Sequence, residues 1–132
     1  MRRWHWLVVA VLILGVVAGG CAMLGRKTVR ISENDANRSI ELRSGDRLEV
    51  ALAGNPSTGY MWQVAATDTA ILRQVGEPSF TAPRDRAGAG GVLTFCFEAG
   101  GAGRTLLRLA YRQPWEKTSP PAKTFELTVV VR

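Results

Sequence analysis

Residues 93–98, Leu-Thr-Phe-Cys-Phe-Glu, alternate large apolar side chains with smaller or polar ones. Successive side chains of a β-strand point to opposite faces, so Leu93, Phe95 and Phe97 would share one face. The same period of two recurs on both sides of this segment, and no long stretch has the 3.6-residue period of a capped helix. The recurrences are Ile40 with Leu42, Leu48 to Leu52, Tyr60 to Val64, Leu106 to Tyr111 and Phe125 to Val131.

Turn clusters rich in Gly, Pro, Asn and Ser separate these alternating segments. About seven short strands between turns, in roughly 100 residues, predict an all-β fold. We expect an immunoglobulin-like antiparallel β-sandwich, with a small barrel as the alternative. Trp62 is expected in its core, like the buried tryptophan of immunoglobulin sandwiches.

The composition fits one globular domain, because 46% of the 132 residues are hydrophobic and 21% are charged. The one histidine, His5, lies in a predicted signal peptide, so we expect none in the mature chain. This excludes His-dependent Ser or Cys triads and zinc sites with imidazole ligands. No pair of acidic residues is placed for catalysis either. We therefore expect no enzyme activity, no cofactor and no metal.

The N-terminus has the features of an export signal. Arg2 and Arg3 precede Leu7 to Ala18, an apolar segment of twelve residues that is too short for a bilayer of about 30 Å. Val17 to Cys21 then resembles the bacterial lipobox, in which the cysteine is acylated and becomes the mature N-terminus. The alternative is ordinary cleavage nearby that leaves Cys21 as a thiol.

Three segments follow from this interpretation. We expect a lipoprotein signal peptide over 1–20, a lipidated cysteine with a tether over 21–28, and the folded domain over 29–132. The protein would be exported and lipid-anchored to the bacterial cell envelope. In a Gram-negative source this would be the periplasmic side of the outer membrane, because Ala22 and not Asp follows the cysteine.

Charge and cysteine content limit the partners. Removing Arg2 and Arg3 with the signal lowers the formal net charge from +6 to +4, and the remaining charges of both signs are interspersed. We therefore expect no nucleic-acid binding. If Cys21 is acylated, Cys96 has no disulfide partner, and it is expected to be an inert, partly buried thiol. We expect the domain to be a monomer.

Three of the turn clusters have an unusual composition, and together they suggest a binding site. Pro56 restricts φ and Gly59 permits a positive φ, which predicts a stiff first loop. The glycine cluster has almost no side chains and could lie flat on another surface. In the third cluster Trp115 stands near Arg112, and both residue types are frequent in binding hot spots, although Pro114 and Trp115 could instead form a hydrophobic plug over the end of the sandwich. The candidate residues are Asn55, Pro56, Ser57, Thr58, Gly59 and Tyr60, then Gly88, Ala89, Gly90 and Gly91, then Arg112, Pro114 and Trp115.

In this order, the three clusters resemble the motifs of the chagasin-like inhibitors of papain-type cysteine proteases. That family has an Asn-Pro-(Thr/Ser)-Thr-Gly-(Tyr/Phe) loop, a Gly-x-Gly-Gly loop and an Arg-Pro-Trp loop. Gln113 stands where the family usually has Arg, and Arg112 supplies a neighbouring charge. The resemblance extends over most of Val29 to Arg132, and bacterial members of the family are similar in carrying export signals.

The resemblance implies a function. The three loops would gather at one end of the sandwich and enter the cleft of a papain-like cysteine protease, giving reversible, competitive inhibition. Thr58 would lie at the catalytic Cys, the glycine loop along one side of the cleft, and Trp115 on the opposite wall. The alternative is a structural or adhesive immunoglobulin-like envelope lipoprotein without inhibitory activity.

Overall fold

The computed structural model describes residues 26–82 and 90–132. Within them the chain forms nine β-strands and two short 3₁₀ turns, Glu33–Asp35 and Pro56–Thr58. The strands are β1 (Thr28–Ser32), β2 (Ser39–Leu42), β3 (Arg47–Gly54), β4 (Met61–Ala66), β5 (Leu72–Gln74), β6 (Ser79–Thr81), β7 (Gly91–Ala99), β8 (Gly103–Arg112) and β9 (Lys123–Val131).

The described strands form two sheets. The first has the order β1-β3-β7-β5, and β6 also pairs with β7. The second has the order β2-β9-β8-β4. Most neighbouring strands are antiparallel, but β1 runs parallel to β3 and β2 runs parallel to β9. The chain therefore crosses from the first sheet to the second between β1 and β2, and the two sheets are mixed.

The core lies between the inner faces of the two sheets. Each long strand buries every second residue, as in the burial pattern of β7, where Leu93, Phe95 and Phe97 face inward. Strands β8 and β9 of the other sheet alternate in the same way. Burial of a large apolar side chain contributes about 1.5–3 kcal/mol, so this alternation supplies the main stabilising force. Trp62 on β4 is only 4% exposed, which confirms the prediction that it belongs to the core.

The all-β sandwich predicted from the sequence is confirmed, and the small barrel is not observed. Two details differ from the prediction. The described residues contain nine strands where about seven were expected, because β5 and β6 are segments of only three residues. The sandwich is also not purely antiparallel, because β1 and β2 each lie at the edge of a sheet beside a parallel neighbour.

A buried carboxylate holds the turn between β2 and β3. Asp46 is 1% exposed, and its two carboxylate oxygens accept hydrogen bonds from the backbone N–H groups of Arg43 at 2.9 Å and Lys27 at 3.2 Å. The Arg43 hydrogen bond is the main cause that lowers the pKa of Asp46 below its ordinary value of 3.8, despite desolvation. This side chain ties the segment before β1 to the turn.

The predicted signal peptide and Cys21 lie outside the described residues. In the part of the chain that the structure describes, no helix is long and apolar enough to cross a membrane. Cys96 is partly buried and forms no disulfide within that part.

Candidate functional site

Strand pairing brings the candidate loops to one end of the sandwich, here called the loop end. Gly54, which precedes the first loop, pairs with Gly91 at the start of β7. In the other sheet, Arg112 before the third loop pairs with Met61, which follows the first loop. The first loop, the described part of the glycine cluster and the third loop are therefore neighbours in space although they are far apart in sequence.

The first loop is closed by its own hydrogen bonds. The Asn55 side-chain oxygen accepts from the Ser57 backbone N–H at 3.2 Å and from the Ser57 hydroxyl at 2.6 Å. The Thr58 hydroxyl donates to the Asn55 carbonyl oxygen at 2.7 Å. The Gly59 N–H donates to the carbonyl oxygen of Pro56 at 3.0 Å. These bonds make residues 55–59 a compact 3₁₀ turn with exposed Pro, Ser and Thr side chains.

Gly59 joins the first loop to the third loop. Its φ of +84° lies in the left-handed region, where a side chain causes strain. A Cβ atom at this position would lie 2.9 Å from Cη2 of Trp115, which is closer than real Cβ contacts. The indole ring thus packs over the bare glycine backbone. Trp115 nevertheless remains 67% exposed, which favours a side chain presented to a partner over a plug that seals the sandwich.

Tyr111 supports the first loop from below. Its hydroxyl oxygen accepts a hydrogen bond from the Asn55 N–H at 3.1 Å. Its ring stacks on Tyr60 with a centroid distance of 5.5 Å and lies tilted against Trp62 at 5.1 Å. The Lys123 ammonium nitrogen lies 5.6 Å from the centre of the same ring. Tyr111 therefore contacts both ends of the first loop and directly precedes the third.

The glycine cluster is described only at Gly90 and Gly91, because Gly88 and Ala89 lie outside the described residues. A Cβ atom at Gly91 would collide with the carbonyl oxygen of Thr81. At Gly90 it would lie 3.1 Å from the carbonyl oxygen of Gly54. The absence of side chains at both positions lets β7 begin in close contact with the ends of β3 and β6.

The third loop is a long connection between β8 and β9. The Glu116 N–H donates to the Gln113 carbonyl oxygen at 3.0 Å and forms a tight turn around Pro114 and Trp115. The Ala122 N–H donates to the Tyr111 carbonyl oxygen at 2.9 Å and closes the base of the loop. Pro114 is exposed and Arg112 is partly buried.

Sequence reasoning missed two contributors to the loop end. Tyr111 begins the third cluster but is not among the candidate residues, although an aromatic residue at the last inward position of β8 is a signal that it packs under a loop. Phe80 is 42% exposed on β6, a strand of three residues that the alternation does not reveal. Phe80, Tyr60 and Pro56 line one apolar hollow beside the first loop.

The loop end carries shape and apolar surface instead of reactive groups. Its described part consists of a closed turn, an exposed indole, bare backbone and two aromatic supports. Among the residues that the structure describes, no group of three or more His, Cys, Asp or Glu side chains is placed to hold a metal ion.

Comparison with known proteins agrees with this picture. Residues 41–129, more than half of the chain, match the model of the family described as Chagasin family peptidase inhibitor I42. Amoebiasin-2 of Entamoeba histolytica is 28% identical over 103 residues, which cover 77% of this chain and 84% of that protein.

Solved structures share the fold. The cysteine protease inhibitor EhICP2 from Entamoeba histolytica superposes with a TM-score of 0.71 at 22% identity, over 82% of this chain and 98% of that one. PbICP-C, solved in complex with falcipain-2, superposes with a TM-score of 0.54 at 20% identity, over 80% of this chain and 99% of that one. About four-fifths of this chain thus corresponds to a complete folded protein. The chain belongs to the chagasin family of peptidase inhibitors, whose members inhibit cysteine proteases and are not enzymes.

Proposed function

We propose that this protein is a reversible, competitive inhibitor of papain-like cysteine proteases that inserts its loop end into the active-site cleft. The observation that carries the proposal is the packing of Trp115 over Gly59, which joins the first and third loops into one exposed surface. A protease–inhibitor contact needs about 800 Å² from each partner, and three adjacent loops are enough to supply it.

The first loop would block the protease nucleophile without becoming a substrate. Thr58 is exposed, and its hydroxyl and N–H both donate to the Asn55 carbonyl oxygen. Cleavage needs reacting atoms held in an attack geometry, and the closed turn would have to break these bonds to reach it. The same bonds reduce the conformational entropy lost on binding, which favours affinity.

The other two loops would contact the walls of the cleft. Trp115 presents a large aromatic surface, which is the kind of side chain that dominates binding energy. The glycine cluster would approach the opposite wall with its backbone, because Gly90 and Gly91 have no side chain to hold the surfaces apart. Arg112, next to Gln113 where the family usually has Arg, would supply the positive charge at the base of the third loop.

Inhibition kinetics test this proposal. Residues 26–132 are mixed with papain and a small fluorogenic peptide substrate. We expect inhibition with a dissociation constant of about 10 nM or below, as is common for protease–inhibitor interfaces of standard size. The apparent KM should rise while kcat stays constant. Protease activity should return on dilution, and mass spectrometry should show the inhibitor chain intact.

Two results would contradict the proposal. One is the absence of inhibition of papain and of cathepsin-type proteases by a domain that circular dichroism shows to be folded. The other is inhibition that lowers kcat at constant KM, because a loop end outside the cleft would not compete with substrate.

We also propose that the chain is exported and acylated at Cys21, which would place the inhibitor on the bacterial cell envelope. The lipobox resemblance of Val17 to Cys21 supports this assignment. Metabolic labelling with a palmitate analogue tests it: the full chain should incorporate the label, and the Cys21→Ser variant should not. Equal labelling of both proteins would refute acylation at this residue.

A further inference from the structure

The end of the sandwich opposite the loops carries a cluster of positive charge, here called the basic pole. Its members come from the segment before β1, the turn between β2 and β3, and the strand ends beside them. All are exposed. They are Arg26, Lys27, Arg43, Arg47, Arg104 and Arg132.

Backbone pairing holds this cluster together. The Arg47 N–H donates to the Lys27 carbonyl oxygen at 2.9 Å. The Ser44 N–H donates to the Arg132 carbonyl oxygen at 3.2 Å. Lys27, Arg43 and Arg132 line the same polar hollow together with Glu41 and Leu42, so three cationic side chains and one carboxylate surround one space.

The acidic residues of this region leave most of the positive charge unpaired. Glu41 forms an ion pair with Arg132 at 2.8 Å. Asp46 is buried under the backbone N–H groups that it binds. At the flank lies Asp68, which accepts from the Ala70 N–H, and Glu98 lies opposite Arg47 in the β3–β7 pair but forms its ion pair with Arg73. Within the described residues, the other five cations of the pole make no ion pair, and these are Arg26, Lys27, Arg43, Arg47 and Arg104.

The pole concentrates the charge of the domain. Its six cations and two carboxylates, Glu41 and Asp46, give a formal excess of four. The whole chain has a net charge of +6, of which Arg2 and Arg3 supply two. The rest of the sequence is therefore close to neutral, and several of its arginines pair with carboxylates across neighbouring strands, as Arg108 does with Glu126 at 2.6 Å.

We propose that the basic pole docks on an anionic phospholipid surface. Each Lys or Arg close to such a surface adds to the attraction, and clusters of four to eight are typical of binding to acidic lipids. At the polar hollow, Lys27 and Arg43 form no ion pair within the described residues and would contact lipid phosphate groups, while Glu41 holds Arg132. Docking in this way would point the loop end away from the membrane.

The proximity of the N-terminal segment to the pole favours a membrane over a nucleic acid as the partner. Arg26 lies beside Gly45 at this pole, and Cys21 is five residues upstream. Five extended residues span at most about 18 Å, so an acylated Cys21 would hold the pole near the lipid surface. Nucleic-acid sites also use aromatic side chains for base stacking, and the large exposed aromatic side chains of the described residues, Phe80 and Trp115, both lie at the loop end.

Vesicle binding tests the proposal without the acyl group. Residues 26–132, which correspond to complete folded relatives, are sedimented with vesicles of phosphatidylcholine alone or with phosphatidylglycerol added. We expect binding only to the vesicles that contain phosphatidylglycerol. Binding should weaken as salt rises, because the screening length falls to about 8 Å at physiological ionic strength. Replacing three pole arginines by glutamine should weaken partitioning about 100-fold. The variant is Arg43→Gln/Arg47→Gln/Arg104→Gln.

A second variant with the same change in charge provides the control. It removes three cations near the loop end, and its binding to vesicles should stay close to that of the parent. Thermal unfolding verifies that each variant is folded. A further variant, in which the same three pole arginines are changed to lysine, keeps the charge and should retain binding to vesicles. The control variant is Arg112→Gln/Lys117→Gln/Lys123→Gln.

Three outcomes would overturn the proposal. The parent protein fails to bind phosphatidylglycerol vesicles at low salt. The two triple variants lose binding equally, which would indicate net charge and not the pole. A DNA duplex at equal phosphate concentration removes the protein from the vesicles, which would assign the pole to nucleic acid.

Discussion

The two ends of this sandwich are built from the same strands but offer different chemistry. At the loop end, hydrogen bonds within the first loop and aromatic packing on Tyr111 hold a defined shape with one exposed indole. At the basic pole, Asp46 holds the turn between β2 and β3, and the exposed cationic side chains, apart from Arg132 with Glu41, form no ion pair within the described residues.

The difference fits the two kinds of recognition proposed for this fold. Binding to a protease cleft depends on complementary shape, which favours loops that are fixed before binding. Binding to a charged surface depends on electrostatic potential, which tolerates mobile side chains. The strands between the ends are long, since β7, β8 and β9 have nine or ten residues each, and they keep the two surfaces apart.

The largest expected effect is a loss of inhibition on mutation of the loop end. Trp115→Ala should weaken inhibition of papain by about 3 kcal/mol, or roughly 100-fold, because a large exposed aromatic anchor is lost. The free energy of unfolding should change by less than about 0.5 kcal/mol, since the side chain is mostly exposed. Inhibition constants and urea unfolding measure the two quantities.

Leu106→Ala is the matched control for this variant. Leu106 is 48% exposed on the outer face of β8, away from the loops, so its truncation should leave inhibition unchanged. A large loss of stability in Trp115→Ala would instead mean that the indole seals the core. The loop end would then depend on buried packing and not on an exposed side chain.

The second prediction concerns the opposite end. Asp46→Asn should destabilise the fold by about 2 kcal/mol, because an amide cannot accept hydrogen bonds at both of its terminal atoms from Arg43 and Lys27. Inhibition by the folded fraction should be unchanged. Asp68→Asn is the control: the amide oxygen of asparagine can keep the hydrogen bond from the Ala70 N–H, so stability should change by less than about 0.5 kcal/mol.

The pH dependence of stability gives an independent measure of Asp46. Its pKa is lowered in the folded state, so its contribution is fully present above the ordinary value of 3.8 and is lost as the pH falls through the folded-state pKa. The difference in unfolding free energy between parent and Asp46→Asn should therefore be constant near neutral pH and shrink in acid. A constant difference down to strongly acidic pH would refute this role.

The smallest effect tests how the loop end is held. Tyr111→Phe removes only the hydroxyl that accepts from the Asn55 N–H and keeps the ring packing. We expect inhibition to weaken by about 1 kcal/mol, or roughly 5-fold, because the first loop loses an anchor. Hydrogen exchange should show faster exchange at the Asn55 amide in this variant, while an amide in the core of β9 should be unaffected.

Much of the fold could be predicted from the sequence, because each long strand buries alternate residues. Leu93, Phe95 and Phe97 show this pattern without interruption. The parallel position of β1 beside β3 could not be predicted, since alternation identifies an inner face but not a neighbour or its direction. Strand β6 (Ser79–Thr81) is too short for alternation to be visible.

The candidate site was predictable to a similar degree. Pro56, Gly59 and Trp115 are conspicuous as residue types, and their clusters identify the loops. The contact of Trp115 with Gly59 and the bond from Asn55 to Tyr111 depend on pairing between strands that are distant along the chain. Such contacts leave no local pattern, so only the folded structure could reveal how the loops are held.

The parallel pairing of β1 with β3 has a mechanical consequence. Five residue pairs, from Thr28 with Arg47 to Ser32 with Ala51, connect these strands side by side. If the chain is held at Arg26 and a protein bound at the loop end is pulled away, the tension acts along the strand axis. The backbone hydrogen bonds between β1 and β3 then bear the shear force together, and they do not break one after another. The N-terminal strand is thus a strong point of attachment for a protein pulled from both ends.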